Sequence, residues 1–275
     1  MFELDAVLNW GPILAIAAVG LVAGTLGGLL GVGGSVIMIP ALTVLFARNQ
    51  HLYQATAMLA NIAVAVPSML RHRRAGVLVA DVLAWMLPAS LVFVLVGVWV
   101  SNLWFFEGRT GGIWLGRILA AFLVYVIIQN VRKIIRYKPL QRDEATITPV
   151  RSGSVGGIMG SLAGLLGIGG GAVAVPLQQV ILKLPLRNCI GNSAAVICFS
   201  ATIGAIYKNA SLAQHGYDWK TSLLIAGLLA PTGWLGGRLG ASLTHQLPVR
   251  QVRIAFILMI AVAAWKMAAI PGSPL

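Results

Sequence analysis

The sequence predicts an all-α polytopic membrane protein made of two homologous repeats. Each repeat would hold four to five transmembrane segments, one of them a helix broken by glycines. Three observations lead there. The 275 residues are 58% hydrophobic and 10% charged, with a mean hydropathy of +0.87, whereas soluble domains carry about a quarter charged residues. The apolar runs reach the roughly 20 residues that a membrane helix needs, and they lack the alternation of barrel strands. Finally, Gly28-Leu29-Leu30-Gly31-Val32-Gly33-Gly34-Ser35 returns as Gly164-Leu165-Leu166-Gly167-Ile168-Gly169-Gly170-Gly171, with Pro40 matched by Pro176. The offset is 136 throughout, and nine of the seventeen residues in 24–40 are identical in 160–176. Such a repeat marks two copies of one unit.

The elements follow in order. Residues 11–46 are almost wholly apolar and too long for one span, and the glycines at 31–34 divide them into pieces at 12–30 and 36–46. A second span is expected at 53–70, ending in the basic loop Arg71-His72-Arg73-Arg74. A third covers 80–100 and a fourth 114–131, which completes a first repeat at 1–131. Residues 132–152 form a hydrophilic linker with six cations (Arg132, Lys133, Arg136, Lys138, Arg142 and Arg151), expected in the cytoplasm. The second repeat, 153–275, holds the second glycine stretch and spans at 188–207, 221–243 and 254–270, with a polar loop from Lys208 to Lys220.

Topology turns on the glycines. If the chain crosses there, each copy has four spans and the copies are parallel. If it turns back, each has five and they are inverted. Loop cations separate the two arrangements by one residue, and paired broken helices in transporters favour the inverted one. The acidic start, Met1-Phe2-Glu3-Leu4-Asp5, is unlike a basic signal peptide.

The net charge of +13 would suggest nucleic acid in a soluble protein. Here the cations sit between apolar runs, as the positive-inside rule produces, so the expected partners are the bilayer and a small anion. Cys189 and Cys198 lie nine apart on one expected helix, about 13 Å along its axis, too far for a disulfide. The seven acids and four histidines all fall in or beside loops. No carboxylate relay, metal cluster or nucleophile beside a base is visible. Neither an enzyme nor a cofactor is expected, and a cation pathway is disfavoured.

An anion site is a different matter. A helix restarting after a glycine break presents unpaired N–H groups and a partial positive charge, which attract anions. The candidate substrate residues are therefore Gly31, Gly33, Gly34 and Ser35 with Gly167, Gly169, Gly170 and Gly171. Polar residues inside the next spans join them: Thr56 and Asn61, with Asn192 and Ser193 in the second copy. Each also has a structural reading as a helix–helix hydrogen bond, and Gly24, Gly28, Gly160 and Gly164 suit close helix packing. Arg117 and Arg238 lie within or near span ends and either snorkel to the interface or serve the site.

The doubled Gly-x-Gly-Gly-[Ser/Gly] motif with its following proline resembles the TauE/SafE sulfite exporter family, over nearly the whole chain. The resemblance implies a multi-pass protein of the bacterial inner membrane that carries sulfur-containing anions such as sulfite or organosulfonates. The expected function is a secondary transporter of a small sulfur oxyanion or sulfonate by alternating access, with the glycine motifs and Thr56, Asn61, Asn192 and Ser193 at the substrate. A non-transporting membrane scaffold or accessory subunit, or a passive anion channel, is the alternative. Direction, coupling ion and oligomeric state stay open.

Overall fold

The computed structural model describes residues 10–46, 49–106 and 145–248, with scattered positions within 113–132 and 250–265. Among the described residues the regular structure is all helical. In chain order, α1 is Trp10–Leu30, α2 Ser35–Phe46, α3 Gln50–Arg74 and α4 Ala80–Ser101. Then come α5 Pro149–Leu166, α6 Gly171–Leu177, α7 Leu186–Ala210 and α8 Trp219–Gln246. A π-helical turn, Gln178–Leu182, continues α6. Four helices, α1, α3, α4 and α7, are long and apolar enough to cross a membrane. The spans expected at 114–131 and 254–270, and most of the linker, lie largely outside the described residues.

Helix directions can be read from close contacts. Gly20, Gly24 and Gly28 of α1 abut Leu229, Gly233 and Gly237 of α8, so tightly that a side chain would strike the partner's backbone. Both series climb in steps of four, so the two helices run parallel. Gly156, Gly160 and Gly164 of α5 abut Met86, Ser90 and Val94 of α4 in the same way. These are the small-residue ridges that let membrane helices approach. Next, α3 runs parallel to α8, since Thr56 bonds Ser222 near one end and His72 meets His245 near the other. It runs antiparallel to α7: Gln54 pairs with Lys208, and Gly191 lies against His72. Finally α4 follows the direction of α7, with Val79 bonded to Asn192 and Val94 beside Gly204. Thus α1, α3 and α8 run one way and α4, α5 and α7 the other.

The core lies along α3 and α7, which are mostly buried. The outer helices turn apolar side chains outward, among them Leu14 and Val22 on α1, Trp85 and Val92 on α4, and Leu235 and Leu239 on α8. A continuous exposed apolar surface of this kind fits lipid tails rather than water.

At both glycine stretches the chain turns back. Gly31 ends α1 with φ +62° and Gly33 follows at +78°, a region that other residues reach only at a cost. The backbone of Gly33 and Gly34 folds onto Gly27 and Ala23. One turn into α2, Met38 is already near Gly233, at the level of Gly24. In the second stretch Gly167 caps α5 at φ +69°, its N–H donating to the Ala163 carbonyl at 2.9 Å. Gly170 then packs on Met159 and Ala163. The Leu182 carbonyl, at the end of the returning segment, accepts from Thr146 N at 3.0 Å, just before α5 begins.

Three boundaries differ from expectation. Arg71 to Arg74 are not a loop but the last turn of α3, where cations are favoured by the carbonyl end of the helix dipole. Lys208 is not in a loop either; it sits in the last turn of α7, buried. The helix expected from 153 starts at Pro149, because Thr148 caps it by accepting from Arg151 N and proline suits the first helical position. Cys189 and Cys198 share α7 and form no disulfide.

Candidate functional site

The two glycine turns meet at the middle of α3, and Asn61 lies between them. Its Oδ1 accepts from Gly34 N at 2.7 Å and Ser35 N at 3.0 Å, and its Nδ2 donates to Ser35 Oγ at 2.8 Å. The side chain thus satisfies the first N–H groups of α2 from a neighbouring helix, doing the work of an N-cap. It also faces the second turn. A Cβ on Gly169 would sit 2.5 Å from Asn61 Nδ2, and one on Gly33 3.0 Å from Oδ1. Only glycine lets both backbones come this near one amide. Asn61 and Ser35 are fully buried.

The turns also touch each other and the central helices. Gly171 lies against the Gly31 carbonyl and the Val32 Cα. Gly31 packs on Ile190 of α7, and Gly167 packs on Gln54 of α3. The start of α6 has no side-chain cap. The α7 residue that faces Gly169 and Gly171 is Ile197, which has no polar group to offer.

The nine expected residues Gly31, Gly33, Gly34, Ser35, Asn61, Gly167, Gly169, Gly170 and Gly171 are therefore brought together. Thr56, Asn192 and Ser193 are held elsewhere. Thr56 Oγ1 donates to Ser222 Oγ of α8 at 3.3 Å. Asn192 Oδ1 accepts from Val79 N at 2.9 Å, and its Nδ2 donates to Gln178 Oε1 at 3.0 Å. Gln178 Nε2 donates in turn to Ser193 Oγ at 3.0 Å. These bonds join helix to helix, the structural reading open to them from the start. Arg117 and Arg238 are exposed on the outer surface, and Arg117 lies over the Trp114 ring at 5.4 Å, an arrangement suited to snorkelling.

Two buried basic residues went unnoticed in the sequence because both were assigned to loops. Lys208 Nζ donates to Gln54 Oε1 and to Ser101 Oγ. His72 is fully buried, its Nδ1 3.1 Å from His245 Nε2. A signal was present: the offset of 136 that aligns the glycine turns also aligns 72 with 208. No group of three metal-ligating side chains occurs among the described residues.

A helical bundle with an apolar outer surface, and a buried polar centre where two glycine turns meet, defines a polytopic membrane protein as a class. The family described as Sulfite exporter TauE/SafE matches residues 16–267, and the chain belongs to it. It is similar to "Probable membrane transporter protein YunE" of Bacillus subtilis, 26% identical over 89% of this chain and 94% of that protein. A "Probable membrane transporter protein" of Haemophilus influenzae is 28% identical over 93% of this chain and 97% of its own length. "Probable membrane transporter protein MamO" of Magnetospirillum gryphiswaldense is 25% identical over 93% of this chain, which spans 44% of that longer relative. No solved structure matches the chain.

Proposed function

We propose that the protein is a secondary transporter of a small sulfur oxyanion, sulfite or an organosulfonate, bound where Asn61 separates the two glycine turns. The observation that carries this is the Asn61 amide, buried between two glycine backbones with its Nδ2 turned toward the second. When the turns part, the N–H groups of Gly34 and Ser35, the Ser35 hydroxyl and the Asn61 amide become donors for an oxyanion. Backbone N–H groups at a helix start favour negative charge, and their neutrality allows release.

The chain reads as two inverted copies, 1–131 and 153–275, joined by the basic linker. Gly31 and Gly167 are 136 apart, and so are the residues they pack on, Gln54 and Ile190. Likewise α3 and α7, the equivalent helices, run antiparallel. The α8 partners of Gly20, Gly24 and Gly28 lie 143 beyond the α4 partners of Gly156, Gly160 and Gly164, a seven-residue lag taken up before α8. Each copy therefore lays its first helix along the fourth helix of the other. This arrangement suits alternating access, in which one repeat rocks against its partner around a fixed site.

Orientation follows from charge. One end of the bundle gathers Arg71, Arg73, Arg74, Arg151, Lys183 and Arg187, whereas the other has Lys208 and Lys220 with Asp218. The cationic end faces the cytoplasm by the positive-inside rule, which puts Trp10 on the far side.

The test is sulfite and methanesulfonate flux in proteoliposomes, wild type against Asn61→Asp. Aspartate keeps the acceptor for Gly34 N and Ser35 N but removes the Nδ2 donor and adds a negative charge. Folding should survive, and anion flux should fall at least a hundredfold. Flux within threefold of wild type rules out this site.

A further inference from the structure

We propose that Lys208 and Gln54 form a second anion-binding station, at the non-cytoplasmic end of the bundle, with a counterpart at Arg187 and His72 at the cytoplasmic end. This rests on the transport reading above and names where along the path the anion pauses.

The first station begins with a chemical imbalance. Lys208 is 1% exposed. Its Nζ donates to two neutral oxygens, Gln54 Oε1 and, at 2.8 Å, Ser101 Oγ. No carboxylate among the described residues neutralises it: Asp218 caps α8 through Lys220 N, and Asp81 is exposed at the start of α4. Burying a cation without a counter-charge is costly, and a leucine or methionine would pack there at no such cost. Lysine is only a donor, so it fixes the Gln54 amide with Oε1 toward Nζ. Gln54 Nε2 is then turned away, buried and without a partner. A lysine with a spare N–H and an adjacent unpaired amide N–H make a dry cluster of donors. What completes it is a small acceptor carrying negative charge.

The second observation is positional. Residue 208 lies 136 beyond His72, and Ser101 lies 143 before Thr244, the neighbour of His245, so the pairing at one end has an equivalent at the other. There His72 Nδ1 meets His245 Nε2 at 3.1 Å, and Arg187 Nη2 donates to the His245 carbonyl at 3.3 Å. A further donor, Arg187 Nε, is buried without a partner. Arg71, Arg73 and Arg74 share that turn of α3, so this end too is rich in donors and positive charge. Along α3, Gln54 lies about 10 Å from Asn61, and His72 about 16 Å on the other side. The two stations therefore flank the central site, one for each opening of an alternating carrier.

The experiment uses the full chain in detergent and in proteoliposomes. Thermal unfolding is followed while sulfite, methanesulfonate or sulfate is titrated, for wild type, Lys208→Met, Lys208→Arg and Arg187→Met. Sulfite or methanesulfonate should raise the wild-type midpoint. Lys208→Met should need at least tenfold more anion for half the effect while being as stable as wild type without anion, and Lys208→Arg should stay within threefold. Arg187→Met should also shift the half-effect upward. If Lys208→Met does not fold, Gln54→Glu replaces it: the carboxylate pairs with Lys208 internally and should abolish the same share of the anion response. Equal half-effect concentrations in wild type and the Lys208 variant, or no anion response in the wild type, overturn the station. Sulfite flux distinguishes the two proposals. Unchanged flux and half-saturation in Lys208→Met sinks the station and leaves the transporter reading standing. Lys208-dependent anion binding with no flux of either anion does the reverse.

Discussion

The two glycine turns are close copies in sequence, yet they are finished differently. The first is closed by a side chain: Asn61 reaches from α3 and satisfies Gly34 N and Ser35 N. At the equivalent position 136 residues on, α7 carries Ile197, and the second turn has no side-chain cap. Asn61 bonds the first turn and lies beside Gly169 of the second. The difference shows that the centre is asymmetric although the two glycine stretches repeat in sequence. The first turn is closed by a side chain, and the second is not.

The largest effect should come from exchanging the two finishing residues for leucine. Asn61→Leu leaves two buried N–H groups unsatisfied, each costing about 1–3 kcal/mol. Ile197→Leu is a volume-conserving change that costs less than about 1.5 kcal/mol. Denaturant unfolding in detergent should rank them far apart. Equal losses would mean that Asn61 is not the element holding the first turn.

Next come the glycines themselves. Alanine at Gly169 or Gly33 meets similar backbone strain, with φ at +67° and +78°, worth about 1–2 kcal/mol. The new methyl group differs. At Gly169 it would sit 2.5 Å from Asn61 Nδ2 and push the amide away, whereas at Gly33 the 3.0 Å approach to Oδ1 needs a smaller shift. Sulfite flux should therefore fall at least tenfold further in Gly169→Ala than in Gly33→Ala, at matched stability. A reversed order would mean that the position of Asn61 Nδ2 does not govern flux.

The class of fold was legible because membrane helices are written in composition and run length, and the turns because a run of 36 apolar residues cannot be one span. What the linear chain did not reveal was depth. Lys208 and His72 flank apolar runs, and at the end of a run a basic residue reads as a loop. In three dimensions each sits inside the last helical turn, against the end of another helix, Lys208 at Ser101 of α4 and His72 at His245 of α8. Asn61 was recognised as polar and buried, but its partners are 26 and 27 residues away through a turn, and no local pattern encodes that contact. Thr56, Asn192 and Ser193 were visible for the same reason as Asn61, being polar in an apolar run. Only the bonding partners separate them from it.

The smallest effects test that separation. Thr56→Val removes a 3.3 Å bond between two hydroxyls, Thr56 Oγ1 and Ser222 Oγ, and a bond of this kind contributes about 0.5–1.5 kcal/mol. Its counterpart, Asn192→Leu, strands Val79 N and Gln178 Oε1, costing about 1–3 kcal/mol for each buried group left unpaired. Both changes act on contacts between helices rather than on the meeting point of the turns. Once the variants are compared at a temperature where each is folded, half-saturation for sulfite should stay within twofold of wild type in both. A fivefold rise in half-saturation for Asn192→Leu, without a matching loss of stability, would bring the polar residues of α7 back to the substrate. The central site would then be more nearly symmetric than Asn61 and Ile197 make it.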